Sequence, residues 1–480
     1  MPRILMVASE ATPFATTGGL ADVVGSLPRE IAALGHQVAV LIPRYGRARK
    51  APSQPVWENL TIRLGPKIFE TAIHRATGTP VPYFFLDYPP LYDREQLYGD
   101  AKGDYPDNHI RFALLSRAAF EVARLLFRTD IFHCHDWQAG LVPVYLRTTM
   151  ANDPTFMGCR TLLTIHNLVY RGLYKPVVLP EIGLPASLFH PARLEFFGDI
   201  SYLKGGLLCS DALSTVSPTY AKEIQTPEYG AGLDGLLRAR SSVLTGILNG
   251  ADYDRWNPAT DPQIAARYSA PGSSPGLAGK QTCKRALLKE FGLPEAAMKR
   301  PLLGIVSRFT GQKGCDLMVQ AAQELFKDDC DCYLVALGNG EKPYEDAFRQ
   351  LEADHPDRLG LCVGYNDGLA HRIEAGSDIF LMPSRYEPCG LNQIYSLRYG
   401  TPPVVRATGG LEDSIDEATG FKFREYTSEA LLAAVRMACS SWADDAAWAA
   451  RIKAGMSRDF SWERSAREYS GLYDRLMLLS

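Results

Sequence analysis

Short apolar runs alternate with amphipathic stretches along most of the chain. Residues 4–9 are apolar enough for a buried strand, a glycine-bearing loop follows, and residues 20–34 carry apolar side chains at helical spacing. The same pattern predicts further strands at 37–42, 131–135, 162–166 and 212–216. Strands that alternate with helices favour a parallel sheet covered on both faces, so this part predicts a doubly wound α/β domain.

A second series of the same kind begins after residue 250. It predicts a helix from Asp316 and strands at 302–307, 333–337, 361–364, 379–383 and 403–406. Residues 270–276, with the sequence APGSSPG, are the segment least suited to packed structure, because proline and glycine favour turns. We therefore predict two doubly wound domains, at 1–245 and 246–460, and a C-terminal helix over 461–480.

The composition is that of an ordinary globular protein, and it narrows the function classes. The 480 residues are 46% hydrophobic and 22% charged with a net charge of -3, so no overall basic field attracts nucleic acid or anionic lipid. No stretch approaches the ~18–20 apolar residues that cross a bilayer. Met1-Pro2-Arg3 leads straight into the first strand, and the cysteines lack regular spacing. We expect a cytoplasmic protein with no nucleic-acid or membrane partner.

A glycine motif occurs once in each predicted domain. TGGLAD at residues 17–22 recurs as TGGLED at residues 408–413, each time between a strand and a helix. Glycines permit close backbone approach, and a helix N-terminus presents unpaired N–H groups to an anion. One such loop alone is a plain turn more often than not, whereas two at matching positions favour an anion or polar-sugar site between the domains.

Two polar segments follow predicted strands of the second domain. Arg308 and Lys313 flank a glycine-bearing turn, where both cations can hold a phosphate, although a solvated basic loop is the alternative. Glu387 lies at a rigid turn, where a carboxylate can accept hydrogen bonds from sugar hydroxyls or simply favour the N-terminus of the next helix. Cys389 has no histidine near it in sequence, so we predict a structural role for its thiol.

Histidines end two predicted strands of the first domain. The sequence HCHDW at 133–137 and the sequence TIHN at 164–167 place imidazoles at these strand ends. The first pair invites a metal interpretation, but a third ligand is not evident, and we predict no metal site. His166 is the better functional candidate, because the strand end would direct it into the cleft between the domains. A buried core histidine is the alternative.

Together these segments resemble the bacterial glycogen synthases and plant starch synthases, which elongate α-1,4-glucan from ADP-glucose. The resemblance spans nearly the whole chain. It is carried by ASE at 8–10, TGGLADV at 17–23, YGD at 98–100, DYPDN at 104–108, HDW at 135–137, TIHN at 164–167, VSPTY at 216–220, GILNG at 246–250, the segment with Arg308 and Lys313, EPCGL at 387–391 and TGGL at 408–411. An ordered series of this length is far less expected by chance than any single glycine motif.

The resemblance implies the GT-B fold, in which two Rossmann-like domains face each other across a cleft and the C-terminal helix returns to the first domain. It also implies transfer with retention of anomeric configuration and without a metal or other cofactor. Arg308 and Lys313 match the family's diphosphate-binding pair, and Glu387 matches its carboxylate over the donor glucose. His166 matches the histidine beside the reacting carbon, and Asp136 lies in the sugar-pocket motif.

The family also implies a set of substrate-binding positions. Tyr365 falls where the family stacks an aromatic ring on adenine. The glycine loops, the turn after the glutamate and supporting polar positions complete the set: Thr16, Gly18, Gly19, Asp22, Asn249, Cys389, Gly390, Leu391, Thr408, Gly409 and Gly410. The substrates that the resemblance implies are ADP-glucose and a glycogen or maltooligosaccharide primer.

Thr16 departs from the family pattern. The family's first glycine loop begins Lys-x-Gly-Gly, and a threonine hydroxyl carries no charge, so donor affinity, turnover or nucleotide preference is expected to differ. Tyr395 stands where the broader retaining group has a second glutamate, a position that we expect to differ in the glycogen synthases as well. Our leading hypothesis is an ADP-glucose-dependent α-1,4-glucan synthase. The alternatives are a related transferase that uses UDP-glucose and a binding protein that has lost catalysis.

Overall fold

The computed structural model describes residues 1–327 and 331–478, which divide into two compact units. The first unit contains Met1–Gly250 and the residues from Trp462 onward, and the second contains Ala251–Ser461. The first unit extends beyond residue 245 because Ile247 is buried in its core. Residues 479 and 480, the end of the predicted C-terminal helix, lie outside the described residues.

A nine-stranded mixed sheet forms the centre of the first unit. The strands of this unit, with two smaller sheets included, are β1 (Arg3–Val7), β2 (Gln37–Pro43), β3 (Ser53–Leu64), β4 (Lys67–Ala76), β5 (Tyr83–Asp87), β6 (Gly99–Asp100), β7 (Gly103–Asp104), β8 (Ile131–His135), β9 (Arg160–Ile165), β10 (Leu173–Tyr174), β11 (Glu195–Phe196), β12 (Asp199–Ser201), β13 (Ala212–Thr215) and β14 (Leu244–Gly246). Its first seven helices are α1 (Gly19–Ala33), α2 (Pro89–Tyr92), α3 (Asn108–Leu125), α4 (Leu141–Arg147), α5 (Tyr202–Cys209), α6 (Pro218–Glu223) and α7 (Asp234–Ala239).

The strand order of this sheet is β14-β13-β9-β8-β1-β2-β5-β4-β3. The strands from β14 to β5 run parallel, and β4 and β3 are antiparallel additions at one edge. The chain winds outward from β1 in one direction and then restarts at β8 in the other, so the order reverses between these two strands. Ligands of open parallel sheets bind at such a switch point, beyond the carboxyl ends of the strands.

The second unit has a six-stranded sheet that is parallel throughout. Its strands are β15 (Leu302–Phe309), β16 (Tyr333–Gly340), β17 (Leu359–Val363), β18 (Ile379–Met382), β19 (Pro403–Arg406) and β20 (Phe421–Phe423). Its helices are α8 (Ala278–Glu290), α9 (Cys315–Lys327), α10 (Lys342–Asp354), α11 (Asp367–Gly376), α12 (Asn392–Arg398), α13 (Gly409–Ser414), α14 (Ser428–Trp442) and α15 (Asp445–Met456). The order β17-β16-β15-β18-β19-β20 reverses between β15 and β18, which places a second switch point there.

The last helix, α16 (Trp462–Met477), packs in the first unit. Its buried face includes Trp462, Tyr469 and Tyr473, which join the core formed by the central strands and α1. The apolar side chains of α1 recur at helical spacing, so the two helices present complementary apolar faces. Burial of an aromatic side chain stabilises a fold by roughly 1.5–3 kcal/mol, and this return of the chain therefore contributes directly to the stability of the first unit.

Two further properties concern membrane-spanning helices and the cysteines. Within the described residues, none of the helices is both long and apolar enough to cross a membrane. The described cysteines are all free thiols, and most of them are buried.

Candidate active site

The switch point of the second unit gathers the polar residues that follow β15 and β18. Arg308 is exposed near the end of β15, and its guanidinium lies 3.5 Å from the Gln312 side-chain oxygen, a long contact. Lys313 ends a short 3₁₀ turn, and its Nζ lies 2.6 Å from Glu387 Oε2. The Ser384 hydroxyl donates to the same oxygen at 3.0 Å. The structure therefore brings the predicted phosphate-binding lysine and the predicted sugar-binding glutamate into a direct ion pair.

Glu387 is held deep in this cluster. Only 5% of the residue is exposed, so its carboxylate has left bulk water and depends on its two hydrogen-bonding neighbours. The turn that carries Lys313 is fixed by Gly314, whose φ of 74° lies in the left-handed region. A Cβ at Gly314 would collide with the carbonyl oxygen of Pro383, and the glycine therefore permits the turn to lie against the end of β18.

The glycine loop of the second unit packs against the segment that carries Glu387. A Cβ at Gly409 would collide with the carbonyl oxygen of Glu387, and one at Gly410 would collide with that of Cys389. The Gly410 N–H donates to the carbonyl of Glu387 at 3.1 Å. The sequence suggested that these amides face an anion, but this N–H is already engaged within the protein. This loop therefore acts as a support for the glutamate segment.

The remaining predicted positions of this unit surround the same segment. Cys389 is buried, Gly390 has a φ of 72°, and Leu391 immediately precedes α12. Thr408 is buried at the start of α13. Tyr365 lies in the loop between β17 and α11 and is 85% exposed, so its ring is accessible to a planar ligand.

Tyr395 has a structural role in the second unit. Its ring stacks on Trp256 with a centroid separation of 4.1 Å and an interplanar angle of 4°. Trp256 also stacks on His371, with a centroid separation of 3.7 Å. Because Tyr395 belongs to this buried stack, it supplies packing where the broader retaining group has an acid.

The first unit has its own glycine loop, and here the glycines face open space. A Cβ added at Gly18 or Gly19 would meet no heavy atom of the described chain within 4 Å. Thr16 is exposed, and its hydroxyl lies 3.3 Å from that of Thr12, which in turn donates to Asp22 at 3.4 Å. The two glycine motifs thus differ in their surroundings, and the first of them offers an accessible backbone surface before α1.

Glu10 fixes this accessible loop through hydrogen bonds to Thr17. Its carboxylate accepts hydrogen bonds from the Thr17 backbone N–H at 2.5 Å, the Thr17 hydroxyl at 2.6 Å and the Tyr98 hydroxyl. Burial raises the pKa of Glu10, an effect that the hydrogen bonds from Thr17 partly oppose. The sequence motifs contain Glu10 and Tyr98 but assign them no role. The pattern that could have indicated a role for Glu10 is a carboxylate placed directly after a buried strand.

Asp136 lies at the end of β8 with strained backbone geometry. Its φ of 55° and ψ of -169° fall in a region that is populated almost only by glycine. The carboxylate accepts a hydrogen bond from the His166 backbone N–H at 2.7 Å, which ties the ends of β8 and β9 together. Burial raises the pKa of Asp136 to about 7, although the backbone donors of His166 and Asn167 favour its charged form.

His166 lies beside two other histidines of the first unit. Its Nε2 is 3.0 Å from His135 Nδ1, and the rings of His133 and His135 are 4.2 Å apart. His133 is hydrogen-bonded to Tyr473 and Thr164. The described residues contain no group of three or more His, Cys, Asp or Glu side chains arranged to hold a metal ion.

Asn249 lies where the first unit ends. It is 5% exposed, and its side-chain oxygen has no hydrogen-bond partner within the described chain. The adjacent Gly250 allows close approach of Trp462, because a Cβ there would overlap the backbone at the start of α16. Asn249 therefore presents an unsatisfied acceptor at the junction of β14 and the returning helix.

Comparison with known proteins identifies the family. A family model described as starch synthase catalytic domain matches residues 3–239, and one described as glycosyl transferases group 1 matches residues 290–454. The chain is 49% identical to a glycogen synthase of Koribacter versatilis over 98% of both chains. It belongs to the glycogen synthase family. A second member of this family, from Myxococcus xanthus, is 45% identical over 99% of both chains.

Solved structures place this family member in the GT-B class. The catalytic domain of starch synthase IV from Arabidopsis thaliana, bound to ADP and acarbose, matches with a TM-score of 0.90 and 33% identity over 99% of both chains. A sucrose-phosphate synthase from Thermosynechococcus elongatus shares the fold, with a TM-score of 0.59 and 19% identity over the full length of both chains. The resemblance and the fold predicted from the sequence are confirmed: this glycosyltransferase has two Rossmann-like units.

Proposed function

We propose that this protein transfers glucose from ADP-glucose to the 4-hydroxyl at the non-reducing end of an α-1,4-glucan, with retention of anomeric configuration. The observation that carries the proposal is the cluster of Arg308, Lys313, Ser384 and Glu387 at the switch point of the second sheet. The chain shares 33% identity over 99% of its length with a starch synthase whose structure is described as bound to ADP and acarbose. That likeness supports ADP as the nucleotide product.

Cleavage of the bond between glucose C1 and phosphate sets the electrostatic demands. Positive charge develops on the sugar ring, and negative charge develops on the departing ADP. Arg308 and Lys313 bind the diphosphate and stabilise its growing charge, which fixed cations do without reorganisation during the reaction. ADP-glucose is a substrate here, and the two side chains supply the positive charge that the leaving group requires.

Glu387 acts on the sugar side of the same bond. Its carboxylate, buried and oriented by Lys313 and Ser384, stabilises positive charge on the glucosyl ring. When ADP-glucose binds, Lys313 turns from Glu387 toward the diphosphate before the bond breaks. Glu387 then has less compensation for its charge and attracts the cationic ring more strongly. The acceptor hydroxyl attacks C1 from the face that the diphosphate leaves, which preserves the configuration at C1. As the C1–O bond to phosphate breaks, the hydroxyl proton passes to the departing diphosphate oxygen.

The first unit supplies sugar-binding groups. Asp136 and His166, tied together by a hydrogen bond at the ends of β8 and β9, contact the transferred glucose. Gly18 and Gly19 let the ligand approach the loop backbone, and Asn249 supplies a further acceptor. The open ring of Tyr365, in the second unit, stacks on adenine.

Incorporation of labelled glucose tests the proposal. The purified chain is incubated with glycogen and either ADP-[14C]glucose or UDP-[14C]glucose, and a reaction without primer serves as the control. We expect incorporation from ADP-glucose that requires primer and is released by an α-1,4-specific amylase. Preference for UDP-glucose would replace the donor assignment, whereas ADP binding without any incorporation would show a binding protein that has lost catalysis.

Thr16 is the observation that favours the alternative of a binding protein that has lost catalysis. The family lysine at this position would place a cation on the exposed loop before α1, and a threonine supplies only a hydroxyl. Arg308 and Lys313 remain in the second unit, so we propose that the enzyme is active. We also propose that it works in the cytoplasm, without nucleic-acid or membrane partners.

A further inference from the structure

His135 is completely buried beside His166 and shares a hydrogen bond with it. The bond joins His135 Nδ1 to His166 Nε2 over 3.0 Å, and only one of the two nitrogens can be the donor when both rings are neutral. Which ring donates determines where the remaining proton of His166 lies. The surroundings of His135 therefore decide the hydrogen-bonding character of His166.

The other nitrogen of His135 lacks a partner. His135 Nε2 is buried and accepts or donates no hydrogen bond within the described chain. The adjacent ring of His133 offers none, because its two nitrogens are bonded to the Tyr473 hydroxyl at 2.8 Å and the Thr164 hydroxyl at 2.6 Å. Thr164 is further bonded to Ser214 at 2.6 Å, so this neighbouring network is closed.

Proton counting selects one arrangement. If His166 donated from Nε2, His135 would carry its proton on Nε2 as a buried N–H without an acceptor. An orphaned N–H of this kind is rare in proteins, whereas an under-satisfied acceptor lone pair is tolerated more often. Donation from His135 Nδ1–H to His166 Nε2 avoids the orphaned donor. Burial lowers the pKa of His166 to about 3 and lowers that of His135 as well, which keeps both rings neutral at physiological pH.

We propose that His135 is a positioning residue that holds His166 in its Nδ1–H tautomer, so that His166 presents an N–H donor to a sugar oxygen. The inference rests on the proposed function, in which His166 contacts the transferred glucose. It adds that the recognised atom must be an oxygen that can accept a hydrogen bond. A sugar with hydrogen or a non-accepting group at that position is bound less well in the transition state.

Nitrogen-15 NMR of the histidine rings tests the tautomer directly. The full chain is labelled at the histidine ring nitrogens, and the His166 signals are assigned by their loss in His166→Gln. We expect a protonated Nδ1 and an unprotonated Nε2 in the unsubstituted protein at neutral pH. A protonated Nε2 on His166 would overturn the proposal.

Two substitutions of His135 distinguish its hydrogen-bond donation to His166 from a purely steric role. His135→Asn keeps an N–H donor near the Nδ1 position, and we expect His166 to remain in the Nδ1–H form with most of the kcat retained. His135→Leu removes the donor that selects the Nδ1–H form, so a mixture of the two His166 tautomers should appear and kcat should fall severalfold, with a smaller change in KM. Equal spectra and equal kcat for both variants would contradict the proposed role of His135.

A matched control and a separate test complete the design. His36 is also a buried histidine of the first unit and is bonded to Ser470 at 2.7 Å, so His36→Leu should leave the His166 spectrum unchanged. Normal glucose transfer by His166→Ala would show that His166 is not part of the proposed active site. The tautomer assignment would still be tested separately by the NMR spectra. Failure of the proposed function and failure of this inference are therefore distinguishable.

Discussion

Lys313 Nζ lies 2.6 Å from Glu387 Oε2, and this ion pair joins two residues to which the sequence motifs assign different tasks. The Lys313 side chain is 19% exposed and that of Glu387 is 6% exposed, so the pair lies at the boundary between solvent and interior. At such a position the lysine can exchange its partner from carboxylate to phosphate without a large desolvation cost. The pair thus couples the sugar side of the proposed reaction to its diphosphate side.

Glu387→Gln removes the negative charge and keeps the shape of the side chain. We expect transfer from ADP-glucose to fall by about 100-fold or more, because the positively charged sugar ring loses its carboxylate. ADP binding, measured by calorimetry, should stay within a few-fold of the unsubstituted value. Glu290→Gln is the matched control, since Glu290 is ion-paired with Arg372 elsewhere in the second unit and should leave turnover unchanged. Near-normal turnover of the Glu387 variant would remove this residue from the active site.

Lys313→Met tests how much the ion pair between Lys313 and Glu387 contributes to the stability of the protein. The substitution leaves a carboxylate with a 6% exposed side chain beside Ser384 alone, and an unpaired buried charge is destabilising. The double variant Lys313→Met/Glu387→Gln lacks that charge. We therefore expect it to recover about 1–3 kcal/mol of the free energy of unfolding relative to Lys313→Met, measured by chemical denaturation. Additive effects of the two substitutions would show that the contact contributes no coupling energy.

Arg308→Ala should weaken ADP binding without loss of stability. Arg308 is exposed, and its hydrogen bond to Gln312 is long, so little of the fold depends on it. A charge-assisted contact to phosphate is worth more, and we expect an increase in the Kd for ADP of about tenfold. The control Arg349→Ala removes an exposed arginine from α10 and should change neither quantity. An unchanged Kd for the Arg308 variant would contradict its assignment to the diphosphate.

The alternation of strands and helices could be predicted because both sheets are largely parallel and buried. The apolar runs at 131–135 and 379–383 coincide with β8 and β18, and their carboxyl ends carry the polar residues of the candidate site. The β3–β4 hairpin was not predicted. Its strands lie at the sheet edge and alternate between exposed and buried residues, so they lack a continuous apolar run.

The different roles of the two glycine loops could not be predicted from the sequence motif that they share. Gly409 and Gly410 are required because backbone carbonyls lie against them, whereas Gly18 and Gly19 face open space. This difference depends on what packs against each loop, which a local motif does not encode. Glu10 was overlooked for the same reason, since its partners Thr17 and Tyr98 are brought to it only by the fold.

Thr16→Lys restores the cation of the family motif on an exposed and open loop. Among the residues that the structure describes, the hydroxyl of Thr16 has one hydrogen-bonding neighbour, the Thr12 hydroxyl at 3.3 Å. Thr16 is exposed, so a longer side chain meets little steric resistance. If a missing cation limits this enzyme, kcat/KM for ADP-glucose should rise about tenfold. Thr77→Lys adds the same charge at another exposed threonine of the first unit and should have no effect. Unchanged or lower activity of the Thr16 variant would show that the threonine is not limiting.

Asp136 gives the first unit a stability that depends on pH. Burial raises the pKa of Asp136 from 3.8 to about 7, so the folded state binds this proton more tightly than the unfolded state. The resulting stabilisation is fully present below pH 4 and is lost as the pH rises through about 7. A shift of this size corresponds to about 4 kcal/mol.

Asp136→Asn removes the titrating group and keeps an oxygen that can accept from the His166 N–H. We expect the variant to gain stability relative to the unsubstituted protein as the pH rises from 5 to 8, by up to about 3 kcal/mol, because only the latter must ionise a buried carboxyl. Asp153→Asn is the control. Arg124 lowers the pKa of Asp153 to about 2, so Asp153 is charged at both pH values and its substitution should have the same effect at each. Chemical denaturation of the three proteins at pH 5 and pH 8 measures the difference, and parallel behaviour of the two variants would show that Asp136 is already ionised at pH 5.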